Sequence, residues 1–150
     1  MRLTNYTDYS LRVLIYLASK GQNEKSNIKE IAKAYDISKN HLMKVIHELG
    51  KIGVIETIRG RNGGIRLAYP PEEINIGAVV RATEDDFRIV ECFNDNSNLC
   101  VISPVCGLKK ILKEALNAYL VVLDKYTLAD IVVNPLQYER LFHFSSVKNK

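Results

Sequence analysis

Apolar residues recur at the spacing of an α-helix in the first third of the chain, which predicts three short helices. The first covers about residues 7–20. Asn27 and Glu30 have the spacing of a capping box, so the second helix begins there. Ser38 is suited to cap a third helix, which the apolar stripe carries to about Gly53. Two short helices joined by a brief turn, the second basic on its outer face, predict a helix-turn-helix.

The pattern then changes to that of a β-hairpin. Residues 54–58 and 65–68 are predicted strands, and the turn between them is rich in glycine. Gly63 and Gly64 are expected to take positive φ there at little cost. A hairpin directly after a helix-turn-helix is a wing. Residues 1–71, which end at a proline pair, are therefore predicted to form a winged helix-turn-helix DNA-binding domain.

The second half predicts a loop between two helices. A short helix ends near Glu84, and the loop covers about residues 87–103. Ser103 and Pro104 then have the pattern of an N-cap followed by proline at the first helical position. The next apolar stripe persists for about 20 residues, or roughly 30 Å of helix, and a last helix is expected to open at Pro135. A helix so long beside so small a domain is expected to pack against a second copy.

These elements predict a mainly α fold with a small β-hairpin wing: a winged helix-turn-helix plus a long C-terminal dimerisation helix. Residues 72–150 form the second unit, which holds the loop and the dimerisation helices, and the first helix is a candidate to pack on it as well. No run approaches 18 apolar residues, and the N-terminus lacks the apolar region of a signal peptide. We therefore expect a cytoplasmic protein.

The positive charge is concentrated in one segment. The chain has a formal net charge of +4, and residues 38–66 contain six basic side chains against two acidic ones. The rest of the chain is balanced. This distribution is expected if the segment faces the phosphates of DNA.

Positions outside the apolar stripe of the third helix, together with the wing tip, are the candidate DNA contacts. Asn40 is suited to read a base edge, Lys44 to reach a guanine or a phosphate, and Met43 to contact a thymine methyl. The wing arginines flank Gly60 and are suited to enter a minor groove. The candidate set is Ser38, Lys39, Asn40, His41, Met43, Lys44, Arg59, Arg61 and Asn62. The alternative for each is an ordinary solvated surface.

The three cysteines of the chain, Cys92, Cys100 and Cys106, lie within 15 residues of one another. An odd number in a cytoplasmic protein argues against a disulfide framework and leaves metal binding, redox sensing or plain buried thiols. Their spacings fit zinc poorly, because zinc sites show closer pairs and four ligands, whereas iron-sulfur clusters accept more varied spacings. With Ser103 as cap, Cys106 falls in the first turn of the long helix, where the helix dipole favours a thiolate.

Sequence spacing does not choose a fourth ligand for such a cluster. His41, His47, His143, the acidic residues near the loop and a group from another subunit all stay open. Each histidine alone is more often a surface residue than a ligand. Asp8 and Arg12, at i and i+4 on the first helix, form by default a solvated ion pair.

Several segments together resemble the Rrf-type winged-helix regulators, and among them the nitric-oxide-sensing repressors. They are residues 3–12 (LTNYTDYSLR), 37–42 (ISKNHL) and 54–60 (VIETIRG) with the following glycine pair, and the spaced cysteines with residues 101–106 (VISPVC). The likeness covers nearly the whole chain up to about Val132. The wing is shared across the broader family, whereas the cysteines and Asp8 are specific to the nitric-oxide-sensing group.

The resemblance implies a homodimeric transcriptional repressor. In it, Cys92, Cys100 and Cys106 of one subunit hold an iron-sulfur cluster, 4Fe-4S with 2Fe-2S as the alternative, and Asp8 of the other subunit is the fourth ligand. Such a protein binds palindromic double-stranded operator DNA and releases it when the cluster reacts with nitric oxide. The group that senses iron-sulfur status instead uses a histidine soon after the third cysteine, where this chain has Lys109 and Lys110.

Two other hypotheses stay open at this point. A cluster-free regulator of the same family would respond to oxidants through disulfides among the cysteines. An electron carrier or cluster scaffold would bind DNA weakly and without sequence preference. An enzyme is not expected, because no catalytic motif accompanies the cysteines.

Overall fold

The computed structural model describes residues 2–21, 23–94 and 96–148, with side chains described as far as residue 143. Met1, Asn149 and Lys150, at the ends of the two predicted domains, lie outside the described residues. The elements are α1 (Asn5–Lys20), α2 (Ile28–Tyr35), α3 (Lys39–Lys51), β1 (Ile55–Ile58), β2 (Gly64–Leu67), α4 (Ile76–Thr83), α5 (Gly107–Asp124), α6 (Leu128–Ile131) and α7 (Pro135–Lys148). The predicted fold class, mainly α with a β-hairpin wing, is confirmed.

Side-chain caps fix where the first three helices begin. Thr4 accepts a hydrogen bond from the N–H of Thr7 at 3.2 Å, so α1 begins at Asn5 and the predicted start near residue 7 was too late. The capping box of Asn27 and Glu30 is present at α2, as predicted. Ser38 caps α3 as predicted, although that helix ends at Lys51 rather than near Gly53.

The wing is a two-stranded antiparallel hairpin, and its turn differs from the expected one. Positive φ occurs at Gly60, at 102°, and not at the Gly63-Gly64 pair. Gly63 is required for a different reason: a side chain there would collide with the carbonyl oxygen of Ile58 and come within 2.9 Å of that of Gly60. The hairpin is held to the rest of the domain by two backbone hydrogen bonds between Ser26 and Ile65, at 2.9 and 2.8 Å.

The core is one apolar cluster with α1 at its centre. α1 packs against α3, α4, α6 and α7, so it touches both the helix-turn-helix and the C-terminal half. Leu14, Leu17, Leu42, Leu49 and Leu128 are fully buried in this cluster. A movement of α1 is therefore felt by the recognition helix and by the C-terminal helices together.

α4 and α5 approach closely at Gly77. A side chain at this position would come within 2.9 Å of the backbone nitrogen of Asp124 and would collide with its carboxylate. Arg81 on α4 makes a two-pronged ion pair with the same carboxylate, one prong of which measures 2.8 Å. The two helices are thus joined by a glycine contact and a charge pair.

The start of the long helix differs from the prediction. Ser103 does not cap it, because residues 103–105 form a short 3₁₀ turn without a side-chain cap. α5 begins at Gly107, and Cys106 stands in the N-cap position. The helix has 18 residues, somewhat shorter than expected. No helix among the described residues is long and apolar enough to cross a membrane.

Candidate nucleic-acid interface and thiol centre

The recognition helix α3 presents its predicted DNA-contacting side chains to solvent. Its buried face consists of Leu42, Val45, Ile46 and Leu49. The opposite face carries the exposed candidates Lys39, Asn40, His41, Met43 and Lys44. Met43 is 54% exposed, a high value for an apolar side chain. Ser38 is exposed too, but its oxygen already accepts from the N–H of His41 at 3.2 Å.

Ion pairing decides where the positive charge of this region lies. Lys51 pairs with Glu48 at 3.0 Å, and Arg66 pairs with Glu56 at 2.9 Å across the hairpin. These are the two acidic residues of the segment from residue 38 to residue 66. Among the described residues, the cations of that segment without such a partner are Lys39, Lys44, Arg59 and Arg61. The excess charge therefore lies at the start of the recognition helix and at the wing tip.

A residue outside the hairpin makes a hydrogen bond to the wing tip. Lys25, in the connection before α2, donates from its Nζ to the backbone oxygen of Asn62 at 2.7 Å. Arg59, Arg61 and Asn62 are all exposed around this point. The contact brings a further positive charge next to the tip, and sequence periodicity gave no sign of it.

The three thiols lie on the cysteine segment, which we define as residues 84–106 between α4 and α5; its Asp95 lies outside the described residues. Cys92, Cys100 and Cys106 are half-buried and are not in disulfides. The carboxylate of Glu91 accepts from the N–H of Leu99 at 2.8 Å, so the neighbours of Cys92 and Cys100 are drawn together. The segment thus folds back on itself between its first two thiols.

Asn98 organises the second part of the cysteine segment. Its side-chain oxygen accepts from the N–H of Cys100 at 3.1 Å, and its amide nitrogen donates to Ser103 Oγ at 2.8 Å. The N–H of Ser103 in turn donates to the backbone oxygen of Cys100 at 3.1 Å. Cys106 then stands in the N-cap position of α5.

Asp8 lies on α1 and is engaged within its own protomer. Its carboxylate pairs with Arg12 at 2.8 Å, as the i, i+4 spacing predicted. The guanidinium of Arg12 also lies 6.0 Å from the ring centre of Tyr9 and 5.8 Å from that of Tyr35. Among the described residues no three His, Cys, Asp or Glu side chains of this single protomer converge on a point for one metal ion.

The histidines are placed on the surface. His41 lies against Tyr9 with ring centres 6.3 Å apart, and His47 is 4.0 Å from the Glu48 carboxylate. His143 is exposed near the end of α7. The Tyr9–His41 contact links the helix that carries Asp8 to the recognition helix, and the sequence pattern did not predict it.

Comparison with protein families identifies the chain. Residues 3–134 match the family model described as "Rrf2: Iron-dependent Transcriptional regulator". The chain belongs to the Rrf2 family. It is therefore a transcriptional regulator, and the resemblance noted in the sequence is confirmed at the level of the family.

Individual relatives of this Rrf2 regulator carry a more specific name. The chain is 72% identical over 134 residues to the HTH-type transcriptional regulator NsrR of Bacillus subtilis, covering 89% of this chain and 92% of that relative. It is 56% identical over 148 residues to NsrR of Shouchella clausii, covering 99% of both. Among solved structures, it resembles CymR (YrzC), described as the global cysteine regulator of B. subtilis, with a TM-score of 0.71 and 26% identity over 89% of this chain and 97% of that one.

Proposed function

We propose that this Rrf2 regulator is a homodimeric iron-sulfur repressor that senses nitric oxide and binds palindromic operator DNA. The observation that carries the proposal is the set of three free, half-buried thiols on a segment that hydrogen bonds fold back on itself. Relatives named NsrR, with up to 72% identity, support the nitric oxide part of the proposal.

DNA binding is assigned to α3 and the wing. The unpaired cations at the start of α3 and at the wing tip supply the sequence-independent attraction to phosphates. Asn40 and Met43 are then available for base edges in the major groove. The exposed cations of the hairpin suit an adjacent minor groove, whose negative potential attracts arginine.

The donor set of the cysteine segment fits an iron-sulfur cluster. Cys92, Cys100 and Cys106 would hold the cluster through their sulfur atoms, and Asp8 of a second subunit would complete the set with a carboxylate oxygen. When bound, the cluster supplies iron that reacts with nitric oxide. An oxygen ligand is the weak member of such a set, because soft thiolates suit iron-sulfur centres better.

Asp8 pairs with Arg12 through Oδ2, so its other carboxylate oxygen could bind the cluster while the ion pair persists. Arg12 would keep its contacts with the rings of Tyr9 and Tyr35, so the guanidinium need not leave its place on α1. Tyr9 lies against His41 at the start of α3. The side chains around Asp8 therefore offer a physical connection from a ligand of the cluster to the DNA-contacting helix.

The exposed face of α5 supports a dimer. Leu108, Ile111 and Val122 are between 48% and 63% exposed, and Tyr126, two residues beyond the end of the helix, is 50% exposed. Among the described residues of α5 only Leu116 is buried. A contiguous apolar helix face of this kind marks an association surface. Two copies packed along α5 would present two recognition helices to the half-sites of a palindrome, about 34 Å apart.

The decisive experiment is an ultraviolet-visible spectrum of anaerobically purified protein before and after nitric oxide, paired with a gel shift on palindromic DNA. We expect cluster absorption that nitric oxide abolishes or shifts, together with release of the DNA. Equal occupation of the operator by fully loaded and fully metal-free protein would contradict the proposal.

A cluster-free thiol regulator is the second candidate, because the three thiols are free and one solved relative is an oxidised form of CymR from Staphylococcus aureus. Assays of iron and acid-labile sulfide separate the two functions. The thiol regulator predicts neither element in protein purified without air, and it predicts loss of DNA binding on treatment with an oxidant alone.

A further inference from the structure

Glu84 completes the cap of a helix that lies 80 residues away in the chain. In a capping box, a glutamate or glutamine three residues into the helix accepts from the N–H of the N-cap residue. In α1 that position is Thr7, and the acceptor is instead Glu84, whose Oε1 accepts from the N–H of Thr4 at 2.8 Å and from Thr4 Oγ1 at 3.1 Å. A carboxylate is also favoured there by the helix dipole.

Glu84 is at the same time the first residue of the cysteine segment. Its own N–H donates to the backbone oxygen of Val80 at 2.9 Å, so α4 fixes its backbone. On the other side, Thr4 accepts at its backbone oxygen from the N–H of Asp8 at 3.0 Å. The contact therefore joins the root of the cysteine segment to the turn of α1 that carries Asp8.

The N-terminal part of α1 also lies against the recognition helix. Tyr9, on the turn after Thr4 to Asp8, contacts His41 of α3 with ring centres 6.3 Å apart. A shift of the first turn of α1 would therefore be felt at the recognition helix, because α1 packs against α3.

We propose that Glu84 is a positioning residue that transmits the state of the cysteine segment to the recognition helix of the same protomer. It does so by holding the first turn of α1 through its two hydrogen bonds to Thr4. This inference rests on the proposed iron-sulfur function and adds to it a route within one subunit. The Asp8 ligand, by contrast, acts between subunits.

Two conservative substitutions separate hydrogen bonding from charge. Glu84→Gln keeps an oxygen at the same reach and removes the charge, whereas Glu84→Asp keeps the charge and withdraws the oxygen by one methylene. Glu72→Ala, which removes an exposed carboxylate from the surface, is the control. For each protein we would measure iron and sulfide per protomer and the affinity for one palindromic DNA fragment with and without the cluster.

We expect Glu84→Asp to bind iron and sulfide like the wild type but to lower the ratio of the two DNA affinities at least about fivefold, the lower end of typical coupling between sites. Glu84→Gln and Glu72→Ala should keep the wild-type ratio. Amide hydrogen exchange on the cluster-free protein gives an independent reading: the N–H groups of residues 4–8 should exchange faster in Glu84→Asp than in Glu84→Gln.

If Glu84→Asp leaves the ratio of the DNA affinities with and without the cluster unchanged, Glu84 does not have the proposed role. The role is also overturned if Glu84→Gln lowers this ratio and Glu84→Asp preserves it. If amide hydrogen exchange at residues 4–8 is unchanged in Glu84→Asp, the hydrogen bonds between Glu84 and Thr4 do not hold the first turn of α1, whether or not a cluster is present. If the wild-type protein binds DNA equally well with and without the cluster, the proposed function is contradicted instead. The coupling assigned to Glu84 is then contradicted as well. The two failures are therefore distinguishable.

Discussion

At the scale of the residue, the charge available to DNA is set by pairing as well as by composition. Lys44 and Lys51 lie on the same helix, yet among the described residues only Lys51 forms an ion pair with a carboxylate, that of Glu48. A paired surface lysine already has a counter-charge, so it has less attraction left for a phosphate. The two residues therefore form a matched pair for testing the interface.

We predict that Lys44→Ala weakens operator binding and that Lys51→Ala changes it little. If Lys44 contacts a phosphate, its loss should reduce the slope of log affinity against log salt concentration by about 0.9 per protomer, or about 1.8 for a homodimer on both half-sites. Fluorescence anisotropy titrations at several salt concentrations measure both quantities. Equal losses in the two variants would remove Lys44 from the interface.

The proposed ligand role of Asp8 gives a second prediction at this scale. The Asp8–Arg12 pair is 43% exposed on both sides, so breaking it should cost no more than about 1 kcal/mol of folding stability. Asp8→Ala should nevertheless change the cluster's absorption spectrum and its reaction with nitric oxide. Thermal unfolding and anaerobic spectroscopy of the variant separate these effects. If the spectrum, the nitric oxide reaction and DNA release were all unchanged, Asp8 would not be a ligand.

At the scale of the element, the close approach of α4 and α5 requires a glycine, which has no side chain, at position 77. We predict that Gly77→Ala lowers the free energy of unfolding by about 1 to 3 kcal/mol, because the added methyl group overlaps both the backbone and the carboxylate of Asp124. Gly50→Ala is the control. Gly50 lies on α3, and its added methyl group would have no atom of the described residues within 4 Å, so the higher helix propensity of alanine should stabilise the protein by about 0.5 to 1 kcal/mol. Denaturant unfolding of both variants checks the opposite signs.

The same junction predicts a dependence of stability on pH. The hydrogen bonds from Arg81 hold the pKa of the Asp124 carboxyl below its usual range, and those from Thr127 do the same for Asp130. A carboxyl whose pKa is lowered by folding stabilises the protein above its unfolded pKa, and this contribution is lost as pH falls through the folded value. The unfolding temperature should therefore decline below about pH 4. The decline should be shallower in Asp124→Asn, and identical profiles would contradict the assignment.

At the scale of the whole molecule, α5 has more apolar surface than one protomer covers. We predict that Ile111→Glu, which puts a charge on a side chain that is 63% exposed, converts a dimer into monomers. Lys113→Glu, on the polar side of the same helix, is the control and should leave the dimer intact. Sedimentation velocity at several concentrations distinguishes the two results. A wild-type protein that is monomeric throughout would contradict the assignment of this face.

Local signals predicted most of the elements. The cap at Ser38 and the capping box at Asn27 and Glu30 depend on residues within one turn, so their spacing in the sequence was sufficient. The start of the long helix was placed wrongly at Ser103, because proline after serine also fits a short 3₁₀ turn. The turn of the wing was predicted with the wrong glycine in the left-handed region.

The chain's own residue order therefore determined the helices, the hairpin and the excess charge of one segment, because each of these depends on neighbours within a few positions. It also carried the resemblance to a family, through short motifs spread along the chain. Only the tertiary structure decided which charges are neutralised, as in the cross-strand pair of Arg66 with Glu56, and which residue completes the cap of α1. Residues 4 and 84 meet because two helices pack together, and no local pattern encodes that approach. The contacts proposed to connect the thiols to DNA are of this second kind.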